Sequence, residues 1–188
     1  MTETTMLGAI RTTLAEAMGD DERVVVLGED VAEGGPWGAT AGLAEEFGAE
    51  RVRNTPISEA AICGVAIGLA QSGLRPVIEV MFVDFVTLAL DQLVNQAAKA
   101  HFMSGGQLSA PLVLRTQGGA GQRGGAQHSQ SLEAWLAHVP GVKVAMPSTA
   151  ADAAGAERDA EAEVDAAVAF ACASPFPEPG LAEELVYA

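Results

Sequence analysis

A chain of 188 residues that is 49% hydrophobic is long enough to bury one ordinary core, and 19% charged residues suit a soluble globular protein. Its formal charge of −15 comes with no cluster of Lys or Arg, which argues against DNA, RNA or an anionic membrane as partner. Two distant cysteines, Cys63 and Cys172, and an amino terminus without a basic region ahead of an apolar core predict a reducing, cytoplasmic setting.

Leu7, Ile10, Leu14 and Met18 recur at helical spacing, and Gly19-Asp20-Asp21 ends that helix before a continuous apolar run, Val24 to Leu27. Such a run predicts a strand covered on both faces. Gly28-Glu29-Asp30 follows at once, then a loop with Gly34, Gly35 and Gly38, and a short helix around Leu43 to Phe47. Arg51-Val52-Arg53 leads to the stretch around which the chain is organised, Asn54 to Ala70. There Thr55-Pro56 reads as an extended turn, Ser58 as a helix N-cap, and Glu59 as the first charge of an apolar helix whose Gly64 and Gly68 permit close backbone approach. On local pattern alone, Glu59 reads first as a first-turn charge complementing the helix dipole.

Val77 to Met81 predicts the next strand, and a long helix is expected from Asp84 to Met103, ending at Ser104-Gly105-Gly106. A strand over Pro111 to Thr116, a glycine-rich loop, a helix near Leu132 to His138 and a strand over Val142 to Met146 complete the pattern. Alternating helices and apolar strands predict an α/β fold, a parallel sheet flanked by helices on both faces, with ligands at the carboxyl ends of the strands. Glu29, Glu59, Glu79 and His128 all fall at or near such ends. Beyond Pro147, acids occupy every second position from Glu157 to Asp165, which predicts a solvated helix, and Pro175 to Gly180 predicts an extended arm.

Gly119, Gly121 and Gly124 fit a dinucleotide fingerprint only weakly, because the loop runs on before any helix opens. The same loop is better suited to delivering His128 to a pocket, where an imidazole can move protons near neutral pH, or else merely anchors that loop. The three histidines and two cysteines share no chelating spacing, so no metal site is expected on this chain.

GEDV at 28–31, TPISEAAICGVAIGLA at 55–70, RPVIEVMFVDF at 75–85, LDQLVNQAAK at 90–99, FMSGGQ at 102–107 and QHSQSLEAW at 127–135 occur in order. Together they resemble the beta subunit of the decarboxylating component of 2-oxo acid dehydrogenase complexes, of the pyruvate or branched-chain type. The resemblance implies a transketolase-like pyrimidine-binding domain over residues 1–152, with residues 153–188 as an acidic helix and Pro-rich tail left from the family's carboxy-terminal region. It implies thiamine diphosphate as cofactor, with magnesium and the diphosphate held by an alpha subunit and the aminopyrimidine held here. Glu59 matches the glutamate that hydrogen-bonds a pyrimidine nitrogen, which requires a carboxyl able to share a proton in a dry site. Phe85 matches the ring that stacks on the pyrimidine, Ile57 and Met81 match positions lining it, and His128 matches the histidine that assists acyl transfer to a lipoyl arm. Glu29 matches an acid coupling paired sites; a plain strand-end carboxylate suits the same position.

The family's GDG and paired asparagines for diphosphate and magnesium are absent, as is most of its second domain. The expectations are therefore pairing with an alpha subunit or with a second copy of this chain, and weakened docking to the lipoylated acyltransferase. A degenerate subunit that pairs without turning over is the alternative.

Overall fold

Four short apolar segments become strands in the structure, a computed structural model that describes residues 5–155. They are β1 (Val24–Gly28), β2 (Val52–Asn54), β3 (Arg75–Glu79) and β4 (Val113–Arg115), all parallel, in the order β2-β1-β3-β4. Parallel neighbours need crossovers, supplied mainly by helices. The register sets Val26 beside Val52 and Val77, and Glu79 beside Gly28 and Arg115.

Side chains alternate across β1, and both faces are apolar. Val24 and Val26 pack with Leu14 and Met18 of α1 (Met6–Asp20) and Leu43 of α2 (Leu43–Phe47). Val25 and Leu27 pack on the other side with Ile62, Cys63 and Ala66 of α3 (Glu59–Gln71) and with Ile78 and Val83. Each such fully buried aliphatic side chain contributes about 1.5–3 kcal/mol. The sheet with helices on both faces is the expected one.

Three details depart from expectation. Between Val83 and Met103 the chain winds as a 3₁₀ segment, Val83–Ala89, a π turn, Gln92–Ala97, and α4, Ala98–Met103, where one α-helix was expected. The buried positions explain the pitch: Val83, Val86 and Ala89 recur every three residues, which three residues per turn keep on one side, and the wide turn then brings Leu93 inward. Residues 142–146 form no strand; Val144 and Met146 are exposed, because an apolar run becomes a strand only where a neighbour offers a ladder, and none forms against the three-residue β4. Ser58 occupies the N-cap position of α3, but its hydroxyl makes no cap bond: its ψ is 82°, whereas Thr5, at ψ 162°, does accept from the Gly8 N–H of α1 at 3.1 Å.

β2 was not expected from the sequence. α5 (Glu133–Ala137) lies where a helix was expected, and residues 150–155 are helical. The acidic 157–165 segment and the Pro-rich tail lie outside the described residues. Among the described residues no helix is long and apolar enough to cross a membrane.

Candidate functional site

The chain leaves β1 toward β2 on one side and then crosses to β3 on the other, so the topological switch falls between the carboxyl ends of β1 and β3. Glu29 follows β1 directly and Glu79 ends β3. The Thr55 N–H donates to the Gly28 carbonyl at 2.9 Å, which ties the 55–58 turn, and with it the mouth of α3, to the same edge.

At that mouth Glu59 is 7% exposed and makes no hydrogen bond or ion pair among the described residues. Its charge is felt by both neighbours. Burial pushes the half-buried Glu29 carboxyl above its usual range, with Glu59 and then Asp30 adding to the rise. One turn into α3, the fully buried Cys63 thiol is pushed up to about 12, chiefly by burial and further by Glu59. Cys63 is thus a neutral packing group behind the carboxylate, and the Thr55 hydroxyl is buried without a partner.

A second group of side chains assembles beside the first. The His128 imidazole lies edge-on to Phe82, with centroids 4.9 Å apart, and to Phe85 at 5.3 Å; Phe82 in turn meets Phe85 at 5.8 Å and Trp37 at 5.3 Å. All four pairs are nearly perpendicular, an arrangement worth about 0.5–1.5 kcal/mol per pair beyond burial. Four separate stretches of sequence therefore converge on one aromatic cluster: the glycine-rich 34–42 loop, the turn after β3, the 3₁₀ segment and the loop after β4.

Contacts at the neck of the 118–131 loop seat it on the β3 exit. The Gly119 N–H donates to the Gln130 carbonyl and the Val83 N–H to the Gln117 carbonyl, each at 2.7 Å. Near the tip, the Gly124 N–H donates to Ser129 Oγ at 2.9 Å, and Gly124 packs so closely on His128 that an added Cβ would lie 2.6 Å from the histidine's own Cβ. Asp84, 5% exposed, accepts from Gln130 Nε2 at 2.8 Å and from the Gln130 N–H at 3.3 Å. Burial pushes the Asp84 carboxyl up, but these Gln130 bonds, its own backbone N–H and the nearby His128 outweigh it and hold the group below its usual range.

Glu79 pairs with Arg115 across β3 and β4, the two side chains being 6% and 16% exposed. Gly35 lies over this carboxylate, which places the Trp37 loop across the ion pair. Of the residues expected to line the site, Phe85 and His128 are in contact, Glu29 and Glu59 are electrostatically coupled, Met81 is half-buried just beyond β3, and Ile57 is 82% exposed. Trp37, Phe82, Asp84 and Gln130 were not expected there. Phe82 sits three residues before Phe85, a spacing that helical winding turns into contact, and that is the one signal the sequence carried. Among the described residues no group of His, Cys, Asp and Glu side chains is placed to hold a metal ion.

An open parallel sheet that gathers acids, a histidine and an aromatic cluster at its carboxyl edge is the arrangement of doubly wound α/β proteins, in which ligands bind at that edge. The chain belongs to the transketolase pyrimidine-binding domain family, whose model matches residues 2–173. It is 51% identical over 156 residues to the pyruvate dehydrogenase E1 component subunit beta of Rhizobium meliloti (strain 1021), covering 82% of this chain and 34% of that one. The 2-oxoisovalerate dehydrogenase subunit beta of Bacillus subtilis (strain 168) is 46% identical over 165 residues, covering 87% of this chain and 50% of that one. A mitochondrial pyruvate dehydrogenase E1 component subunit beta-2 of Oryza sativa subsp. japonica is 47% identical over 154 residues, covering 81% and 41%. The chain thus spans between a third and a half of the length of these relatives. A solved structure titled split gene transketolase, inactive beta4 tetramer, shares the fold at a TM-score of 0.65 and 23% identity, over 81% of this chain and 46% of that one.

Proposed function

We propose that this chain is a beta-type subunit that holds the aminopyrimidine of thiamine diphosphate at an interface with an alpha-type partner. The reaction is oxidative decarboxylation of pyruvate or a branched-chain 2-oxo acid with acyl transfer to a lipoyl group, in keeping with the dehydrogenases its relatives are named for. The observation that carries this reading is Glu59, a carboxylate buried at a helix mouth with no partner among the described residues. No group of this chain engages that carboxyl among the described residues, which leaves it available to an incoming ring nitrogen at the edge of the sheet.

When bound, the cofactor supplies an acidic thiazolium carbon that adds to the 2-oxo acid and accepts the electron pair left by carbon dioxide. The residues of this chain bind, orient and move protons around it. Glu59, at the amino end of α3, offers its carboxyl to the pyrimidine side. Phe85 offers a ring to the pyrimidine, with Ile57 and Met81 beside it. His128, propped on Phe82 and Phe85, is the group to move a proton at the acyl carbonyl oxygen or at the lipoyl sulfur. Glu29, its carboxyl raised by burial and then by Glu59 and Asp30, lies near the same edge. Magnesium and the diphosphate fall to the partner.

The outer face of α3 supports the partnership. Ala61, Gly64, Val65 and Gly68 are exposed along one stripe, and no other backbone of this chain approaches either glycine among the described residues. The test is to combine the chain with an alpha-type chain carrying GDG and paired asparagines, thiamine diphosphate and magnesium, and to follow reduction of an artificial acceptor by pyruvate and by branched-chain 2-oxo acids. Activity that disappears in Glu59→Gln supports the proposal. Co-elution of the two chains without turnover favours the subunit that pairs but does not catalyse.

A further inference from the structure

We propose that Asp84 is the positioning residue for His128, clamping the loop that carries the imidazole to the body of the domain through Gln130. The inference rests on the role for His128 given above, but its geometry stands apart from the cofactor.

The loop over residues 118–131 contains five glycines and has little stiffness of its own. Among the described residues Asp84 is the one side chain outside this loop that hydrogen-bonds into it, and both bonds go to Gln130, two residues from His128. Asp84 also lies between Phe82 and Phe85 in sequence, and those are the rings on which the imidazole rests. One short stretch of the β3 exit therefore supplies both the surface under the imidazole and the anchor beside it. A carboxylate is an expensive group to bury; an aliphatic residue of similar size would fill the same space with less desolvation. Oδ2 is buried and accepts no bond, so packing alone does not explain the acid. What an aliphatic residue cannot do is accept from the Gln130 amide and backbone together, and without that clamp the glycine-rich loop keeps, among the described residues, only the hydrogen bonds of its neck and tip besides the ring contacts of the imidazole itself.

Proton NMR of the full chain tests this without cofactor or partner. The His128 ring resonance, identified by its loss in His128→Gln, should be displaced by the ring currents of Phe82 and Phe85. Asp84→Ala should move it to the position of a solvent-exposed histidine, while Asp84→Asn, which keeps an oxygen acceptor, should leave it in place. A folded Asp84→Ala chain with the resonance unmoved overturns the proposal, as does Asp84→Asn shifting it as far as alanine does. If Asp84→Ala does not fold, Gln130→Leu decides, since Gln130 is exposed: movement supports the clamp, and no movement overturns it. In the assembled complex Asp84→Ala should lower kcat for acyl transfer by about 10–100-fold with KM within about twofold, the loss expected of a misplaced proton-transfer group. NMR shifts without any turnover in the wild-type complex would sink the functional reading and leave the clamp standing.

Discussion

Gly118 and Gly121 lie three residues apart in the same loop, yet alanine at the two positions should have opposite effects. A Cβ on Gly118 would come 2.3 Å from Val83 Cγ1, 3.2 Å from Val83 Cβ and 2.8 Å from the Gln130 carbonyl oxygen. Rotating Val83 relieves only the first of these, because its Cβ and the Gln130 backbone do not move with χ1. The loop neck itself must shift, and overpacking of this kind costs about 1–3 kcal/mol. For a chain of this length that is a fall in Tm of roughly 2–12 °C. A Cβ on Gly121 meets nothing within 4 Å, and neither glycine sits at positive φ, so Gly121→Ala removes only unfolded-state freedom and should be neutral or stabilising by about 0.4–1 kcal/mol. Urea unfolding followed by far-UV circular dichroism and by tryptophan fluorescence, which reads Trp37 in the aromatic cluster together with the exposed Trp135, measures both. Equal stability of the two variants would refute the claim that the loop neck is seated against Val83.

Arg115→Met should cost about 3–5 kcal/mol in the same assay, because it strands the buried Glu79 charge, whereas replacing both partners by apolar residues should cost far less than the sum of the single changes. Glu29 has a raised carboxyl pKa in the folded chain, so the native state binds the proton more tightly than the unfolded one; its contribution is fully present below the ordinary glutamate range and is lost as pH rises through the raised value. Glu29→Gln should therefore flatten the fall in Tm across that window and raise stability at neutral pH, and a parallel pair of pH profiles would count against it. With Cys172 changed to serine, the remaining Cys63 should resist a thiol reagent at pH 8 until urea is added, since its thiol is fully buried and titrates near 12; stoichiometric labelling of the native chain would contradict that.

Apolar runs made the sheet legible: Val24 to Leu27 is uninterrupted, Val77 to Met81 is broken only by Glu79, which Arg115 pairs, and their shared carboxyl edge follows from parallel pairing. Glu59 is locally conspicuous, directly after a turn and ahead of an apolar helix, but local pattern favours a plain first-turn charge, and only the ordered motifs along the whole chain make it a site candidate. β2 was missed since Val52 is flanked by arginines, and only Arg51, donating to the carbonyls of Met18, Asp21 and Val24, reveals that one of them serves the interior. Residues 142–146 misled for the opposite reason: their apolar character is local, while strand formation depends on a distant partner. Trp37 reached the aromatic cluster through the folding of a glycine-rich loop over Glu79, a long-range event that no local spacing records. Likewise, the pairing of Asp84 with Gln130 joins positions 46 residues apart.

The π turn at Gln92–Ala97 bears on which changes of length this chain can absorb. Each α-helical residue advances the winding by about 100°, so a wide turn is in effect one residue inserted without rotating the turns beyond it. Deleting a single residue within it would let the segment rewind as ordinary α-helix, with Leu93 and α4 keeping their present faces. The same deletion within Val83–Ala89 would swing Phe85 and Asp84 away from His128. Single-residue length variation along this stretch is therefore tolerable at one turn, and relatives that differ by one residue between Asp84 and Met103 should carry the gap there.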